Sequence, residues 1–473
     1  MPSDDLCWTP ATELARMIRA KDISPVEIVD AFLSRIDRVN PAINAYCTVT
    51  ADEARAAARR AEEAVTRGDA LGLLHGVPYS LKDLTPARGV RTTMGSKIFE
   101  HTVAEEDAAL VERLRGAGAI LLGKTNTPEF GCKPFTDNKI FGATANPWSL
   151  TRSSGGSSGG AAAAVASGLG PLAEGGDLAG SIRQPAAWCG VVGLKPSQGR
   201  IARYPNQSAW NAMSSNGPIA RTVGDAALMF ASMVGPDPRD PLALPNTGEE
   251  WARLPDRPDI GGHRVAWTPD LGGAAAVDPG IASICQAAAR RFEELGCRLE
   301  EASPEIGNIR DPFLALNSAL RQAAVGKYLE QWRDQMDPIL VRRIEIGRSL
   351  TVADIGLAEV ARSAYHQRLR RFFDRHDLLV LPAVAIAATP LDAPLPKEIA
   401  GREIRDHLDM MVPTFAFNLS PHPAISVPCG WTENGLPVGL QIVGGWRQDA
   451  LVIRAAAAFE AVAPWTGRRP VLN

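Results

Sequence analysis

The chain has 473 residues, 45% hydrophobic, 22% charged and 6% aromatic, which is the composition of an ordinary globular protein and excludes a disordered or fibrous one. Fifty Lys+Arg against fifty-three Asp+Glu give a formal charge of −3, so there is no basic excess to hold phosphate backbones and nucleic acid is not an expected partner. Seven scattered cysteines without CxxC spacing and seven histidines without HxxxH or HxH pairing argue against a disulfide framework, a metal site and a histidine base.

The first ten residues, MPSDDLCWTP, are acidic and lack an apolar core, and no run approaches the roughly 20 apolar residues that span a bilayer. No targeting or membrane segment is expected, and a reducing cytoplasm suits the cysteine usage. Residues 51–67, ADEARAAARRAEEAVTR, are strong helix formers after Thr50, a candidate N-cap, and belong to a helical segment, 1–70, that packs on the core. A helix over 105–117 precedes a strand, AILLG, at 119–123. An alanine helix at 161–167 follows, then helices near 222–234, 279–296, 351–376 and 449–462. Strands are expected at 264–267, 378–382, 424–428 and 438–444. The alternation gives an α/β fold, read as one domain over 1–473, while the Pro-rich patch 383–397 reads as a surface loop or lid.

The stretch SSGGSSGGAAAAVASG at 153–168 has the composition of a flexible linker. Its flanks argue otherwise, because it runs into an alanine helix, a Gly-rich turn and the apolar AAWCGVVGL. Glycines 155, 156, 159 and 160 around Ser157 and Ser158 let the backbone approach a ligand closely. In GGDLAGSIR (175–183), Ser181 follows small residues whose amides can converge on one cavity, the raw material of an oxyanion hole. Lys82 in VPYSLKDL follows an apolar, strand-like run, where a lysine can be desolvated, although Asp83 beside it also fits a simple ion pair. Together these pieces point to a serine nucleophile with a lysine base.

Five ordered blocks carry a resemblance to the amidase signature family: LLHGVPYSLKDL (73–84), LLGKTNTPEFG (121–131), the long run from Asn146 to Ile201, GPIARTVGDAAL (217–228) and PAISVPCGWTENGLPVGLQIVG (423–444). The resemblance implies a large mixed twisted β-sheet covered by helices on both faces. It further implies Ser181 as nucleophile, Ser157 after a cis Gly156–Ser157 peptide as bridging serine, and Lys82 as the ultimate base, neutral when substrate arrives. Backbone amides at Leu178, Ala179, Gly180 and Ser181 are then expected to hold the oxyanion. Ser158 and Asp177 are expected to hold the network around Lys82, with Arg183 bracing the nucleophile loop or forming a plain buried pair with Asp177. The commonest form of the family motif, GTDTGGSIR, differs here at Gly176, Leu178 and Ala179. Glu174 replaces a common apolar residue, and the sequence offers no reason for it.

The resemblance implies an amidohydrolase cleaving the C–N bond of small carboxamides, without a cofactor, acting alone or as a homodimer. Two alternatives share the fold. One is the glutaminase subunit of a tRNA-dependent amidotransferase, against which stand RYPNQSAWN (203–211) and SSNGP (214–218) where that subunit has RYGLVA-like and SSLDQIGP-like segments. The other is a non-catalytic binding module, against which stands the presence of all three triad residues. Phe135, Trp210, Leu316, Met410, Met411, Phe415 and Phe417 are candidate pocket residues, and an aryl, medium-chain acyl, anilide or cyclic amide all fit.

Overall fold

The computed structural model describes residues 3–393 and 395–472, and within them eleven strands form one mixed sheet. In chain order these are β1 Tyr46–Val49, β2 Pro78–Lys82, β3 Ile120–Thr125, β4 Leu172–Asp177, β5 Val192–Lys195 and β6 Ser215–Ala220. They continue with β7 Arg264–Trp267, β8 Arg298–Glu301, β9 Leu378–Pro382, β10 Ala424–Trp431 and β11 Pro437–Gly444. Their spatial order is β1-β3-β2-β4-β6-β5-β10-β11-β9-β7-β8. Parallel pairs β3/β2/β4 and β9/β7/β8 stand at the two sides of an antiparallel middle. Consecutive side chains on a strand point to opposite faces, and all eight residues of β11 are buried, so both faces of the sheet are covered there.

One pairing positions the site. β2 and β4 run parallel as neighbours, with Tyr79 opposite Leu172 and Ser80 opposite Ala173. Lys82, the last residue of β2, and Gly176–Asp177, at the end of β4, therefore leave the sheet at the same end. Antiparallel β6 brings Asn216 opposite Gly176.

The Gly/Ser/Ala stretch is no linker. Helix Gly159–Ala166 is buried at all eight positions and packs on β4. Its first turn lies so close to its neighbours that a Cβ at Gly160 would sit 2.4 Å from the Asn126 nitrogen. A large core cluster draws buried side chains from Leu6 through Trp465. Among the described residues no helix is long and apolar enough to cross a membrane.

Several expected elements shift. The segment 1–70 is not wholly helical: between helices Pro25–Ile43 and Ala51–Arg67, Tyr46–Val49 joins the sheet beside β3. Thr50 does not cap the second of these, because its hydroxyl donates to the Leu121 carbonyl instead. The helix expected over 105–117 is confined to Ala109–Gly116, and that expected over 279–296 divides into Pro279–Ala289 and Arg291–Glu294. Thr222 and Thr351 do cap helices Val223–Met233 and Val352–Phe373. The patch 383–397 is a surface loop only in its later part. Ala383, Val384, Ala385 and Ala388 are buried, and the backbone is tied down where Trp188 Nε1 donates to the Ile386 carbonyl at 2.9 Å and Ser153 N to the Thr389 carbonyl at 2.8 Å.

The β4–β6–β5 region leaves no room at Gly217, where a Cβ would fall 2.0 Å from the Leu194 carbonyl oxygen. Gly217→Ala is expected to lower stability by about 1–3 kcal/mol in urea denaturation, since backbone must move to admit the methyl. A change below about 0.5 kcal/mol would contradict this packing.

Candidate active site

The loop 154–158 joins strand Ser149–Ser153 to helix Gly159–Ala166, and its shape is fixed from outside. Gly155 has φ +82°, a conformation that favours glycine, and a Cβ there would come within 3.0 Å of the Pro185 Cα. The Gly156–Ser157 peptide is cis. Gly156 N donates to Gln184 Oε1 at 3.0 Å, and Thr127 Oγ1 donates to the Ser157 carbonyl at 2.9 Å. Opposite the serine, Gly131 (φ +64°) leaves space that a Cβ would take, 3.0 Å from Ser157 Oγ.

Lys82 reaches this loop from the end of β2. Its Nζ donates to Ser157 Oγ at 2.7 Å, Ser158 Oγ at 2.9 Å and the Gly176 carbonyl at 3.3 Å. The lysine is 1% exposed. Burial pushes its pKa from the ordinary 10.5 down to about 7, against the opposing pull of the Glu174 and Asp177 charges and with a small push from Arg321. Asp83, its sequence neighbour, does not pair with it. Asp83 accepts from Thr93 N and Oγ1 and lies 4.0 Å from Lys124 Nζ.

Glu174 acquires a clear place. It is fully buried, its Oε2 accepts from the Lys82 backbone N at 3.1 Å and Thr85 Oγ1 at 3.0 Å, and its Oε1 accepts from Asn216 Nδ2 at 2.7 Å. A negative charge is thereby fixed beside the strand end that carries Lys82.

The loop that carries Ser181 is organised by Asp177. Its carboxylate accepts from Gly180 N at 2.8 Å, Ile182 N at 3.1 Å, Asn418 Nδ2 at 2.9 Å and both Nε and Nη2 of Arg183. Burial works against this carboxylate, yet Arg183 above all holds its pKa well below the usual range. Arg183 in turn donates to the Thr414 carbonyl, Gln441 Oε1 and Asn418 Oδ1. Arg183 thus braces the loop, and the pair is more than a plain ion pair. Asp177, however, faces this loop and takes no hydrogen bond from Lys82; of the two expected supports of the lysine, only Ser158 touches it.

The expected row of four free amides is reduced by one. Gly180 N is committed to Asp177, whereas the amides of Leu178, Ala179 and Ser181 have no protein acceptor among the described residues. Gly180 serves through its shape: φ is +111° and a Cβ would strike Thr414 Oγ1 at 2.2 Å. Ala179 does not have a positive φ, so its methyl is admitted without backbone strain.

Lys82, Ser157, Leu178 and Ser181 line one cavity of about 220 Å³, together with Phe130, Arg203, Tyr204, Asn216 and Arg321. A second cavity of about 500 Å³ shares Leu84, Pro86, Phe130, Tyr204 and Pro205 with it; its further wall is mostly apolar, with Met94, Phe99, Val325 and Tyr328, and includes the polar Asn206 and Gln207. None of the seven aromatic and aliphatic pocket candidates named from the sequence lines either cavity. Phe135 packs on Trp188, Trp210 is 77% exposed, and Leu316, Met410, Met411, Phe415 and Phe417 are buried in packing. Of the aromatic residues that line the cavities instead, Phe130 lies in the block 121–131 and Tyr204 in the segment 203–211, whereas Phe99 and Tyr328 lie in segments with no distinguishing pattern.

The Amidase family model matches residues 27–453. An acylamidase from Rhodococcus erythropolis is 42% identical over 472 residues, covering 99% of this chain and 98% of that protein. A glutamyl-tRNA(Gln) amidotransferase subunit from Thermosynechococcus vestitus is 36% identical over 488 residues, covering 97% and 99%. Among solved structures, a bacterial aryl acylamidase of the amidase signature family superposes with a TM-score of 0.91 at 32% identity, covering 97% of each chain.

In protein labelled with ¹³C-lysine, Lys82 is expected to titrate near pH 7. Glu174→Gln is expected to lower that midpoint further, because it deletes a charge that favours the ammonium while leaving a side chain of the same shape; the Asn216 amide can turn over to accept from it. An unchanged or raised midpoint would contradict the electrostatic role of Glu174.

Proposed function

The chain belongs to the amidase family and hydrolyses the C–N bond of carboxamides, and from that premise we propose that Ser181 is its nucleophile, Ser157 its proton relay and Lys82 its base. Ser181 Oγ attacks the carbonyl carbon and passes its proton to Ser157, whose own proton moves to the neutral Lys82 amine. The amides of Leu178, Ala179 and Ser181 receive the negative charge that develops on the carbonyl oxygen. As the tetrahedral intermediate collapses, the proton returns from Lys82 through Ser157 to the leaving nitrogen. Water then attacks the acyl-enzyme with the same relay acting as base.

The observation that carries this reading is the 2.7 Å contact between a buried Lys82 amine and Ser157 Oγ in a cavity that Ser181 also lines. A lysine with a pKa of about 7 is substantially neutral at physiological pH, which a relay ending on an amine requires. The second, aromatic-walled cavity favours a bulky apolar acyl or aryl group, in keeping with relatives that are an acylamidase and an aryl acylamidase. The large core cluster supports one working domain across the chain. The alternative reading, a glutaminase component of an amidotransferase, gains from the likeness to the Thermosynechococcus protein. The free amidase is preferred because 203–211 departs from that component's pattern and the acylamidase is the more similar of the two relatives described.

Ser181→Ala is expected to reduce amide hydrolysis by at least about 10³-fold with little change in thermal stability, because the Ser181 hydroxyl makes no hydrogen bond to protein among the described residues. Full activity in that variant would overturn the assignment. For wild-type protein, kcat/KM should be level above pH 7 and fall towards tenfold per pH unit below it, as Lys82 takes up a proton and ceases to be a base. A profile flat down to pH 5 would contradict the neutral lysine. Turnover of glutamine alone, among aryl, acyl and short aliphatic amides, would favour the amidotransferase reading.

A further inference from the structure

The catalytic cavity holds positive charge that the proton relay does not use. Arg203 and Arg321 line it with Lys82, and among the described residues no Asp or Glu does. The two arginines differ in what they do. Arg321 is engaged by backbone, donating to the Phe130 carbonyl at 2.6 Å and the Gly131 carbonyl at 3.3 Å. The Arg203 guanidinium has no hydrogen bond or ion pair among the described residues, and its Nη1 is buried without a partner. The nearby Asp240 does not satisfy it, because Asp240 Oδ2 accepts from the Arg203 backbone N at 2.8 Å and Oδ1 from Leu242 N at 2.9 Å. Elsewhere in the protein three buried arginines meet carboxylates: Arg183 meets Asp177, Arg200 meets Asp449 and Arg343 meets Asp406.

Leaving a buried guanidinium nitrogen unpaired is unfavourable, and the imbalance is relieved by an acceptor entering the cavity. A guanidinium presents a planar fork that matches a carboxylate with two parallel charge-assisted bonds. One free fork with a single charge suits a planar monoanion better than a dianionic phosphate. We propose that Arg203 is the specificity residue of this site and that its preferred amides bear a free carboxylate, seated on Arg203 while their apolar part lies in the adjoining aromatic cavity. This rests on amides being bound in the cavity that Ser181 lines.

The test compares acids with neutral isosteres in which the carboxylate is exchanged for isopropyl. One pair, glutaric acid monoanilide and 5-methylhexanoic acid anilide, carries the group on the acyl side. The other, 4-(butyrylamino)benzoate and N-butyryl-4-isopropylaniline, carries it on the amine side. Binding is measured by calorimetry on Ser181→Ala protein, so that the result does not depend on turnover, and kcat/KM is measured on protein with Ser181 intact. In at least one pair the acid should be preferred by about 30-fold or more. Arg203→Met should bring that preference close to one, chiefly through KM, and Arg203→Lys, which keeps a point charge, should give an intermediate value. Preference for the isostere in both pairs, or an acid preference that survives in Arg203→Met, would overturn the proposal. Selective binding of an acid with no turnover of either pair would leave Arg203 supported and count against the catalytic reading instead.

Discussion

The site depends first on a buried ion pair. Asp177 and Arg183 are both fully shielded from solvent, and removing two such charges from water costs several kcal/mol for each ion. Attraction between them does not by itself offset that cost. What makes the pair tolerable is that the remaining hydrogen-bonding capacity of both groups is spent on the loop between them, on helix Val412–Leu419 and on Gln441 of β11. Each of those bonds is also a restraint on residues 177–183. The arrangement that keeps two charges stable indoors is therefore the one that fixes the direction in which the Leu178, Ala179 and Ser181 amides point.

Lys82 presents the opposite solution to burial. It has no carboxylate within salt-bridge distance among the described residues, and its three contacts are to two hydroxyls and one carbonyl. Desolvation then outweighs the longer-range pull of Glu174 and Asp177, and the pKa settles near 7. That displacement corresponds to about 5 kcal/mol in favour of the neutral amine. Lys124, equally buried, faces Asp83 and the hydroxyl of Thr92, and it lies outside the cavity. Lys195 is likewise pushed down to about 7 by burial, with Arg183 adding to the effect, yet among the described residues its Nζ donates only to the Pro196 carbonyl. A depressed lysine pKa is thus not enough to mark a base; Lys82 is distinguished by meeting a serine hydroxyl inside a cavity.

The sequence disclosed those parts of the site whose logic is local. Ser157 and Ser181 lie in runs of small residues that no ordinary helix or strand would need, and Lys82 ends an apolar strand. The α/β alternation was likewise visible in apolar runs such as LLVLP and VGLQIVG. Glu174 was opaque because its partners, Lys82, Thr85 and Asn216, lie on other segments, and only the β2–β4–β6 order brings them together. Arg203 was opaque for a related reason, since what marks it is a guanidinium without a partner among the described residues, which no spacing records. Thr50 and the 383–397 patch misled in the same direction. A threonine before a helix and a proline-rich run look like a cap and a loop until neighbouring strands claim the hydroxyl and bury the backbone.

The altered GGDLAG run can now be read position by position. Gly175 must remain small, because a Cβ there would lie 2.9 Å from Ser158 Oγ and from Ile182 Cγ1. Gly180 must remain glycine for two reasons, its φ of +111° and the Thr414 side chain against it. Gly176 meets only Asn216 Nδ2, at 3.8 Å, so a side chain fits there. Ala179 does not have a positive φ and Leu178 turns towards the cavity, so neither requires glycine. The departures from the common motif therefore fall where the backbone makes no demand for glycine, while the two constrained glycines are kept. Of the three changed positions, Gly176 and Leu178 line the cavity, and of these only Leu178 presents a side chain to the space that Ser181 also lines.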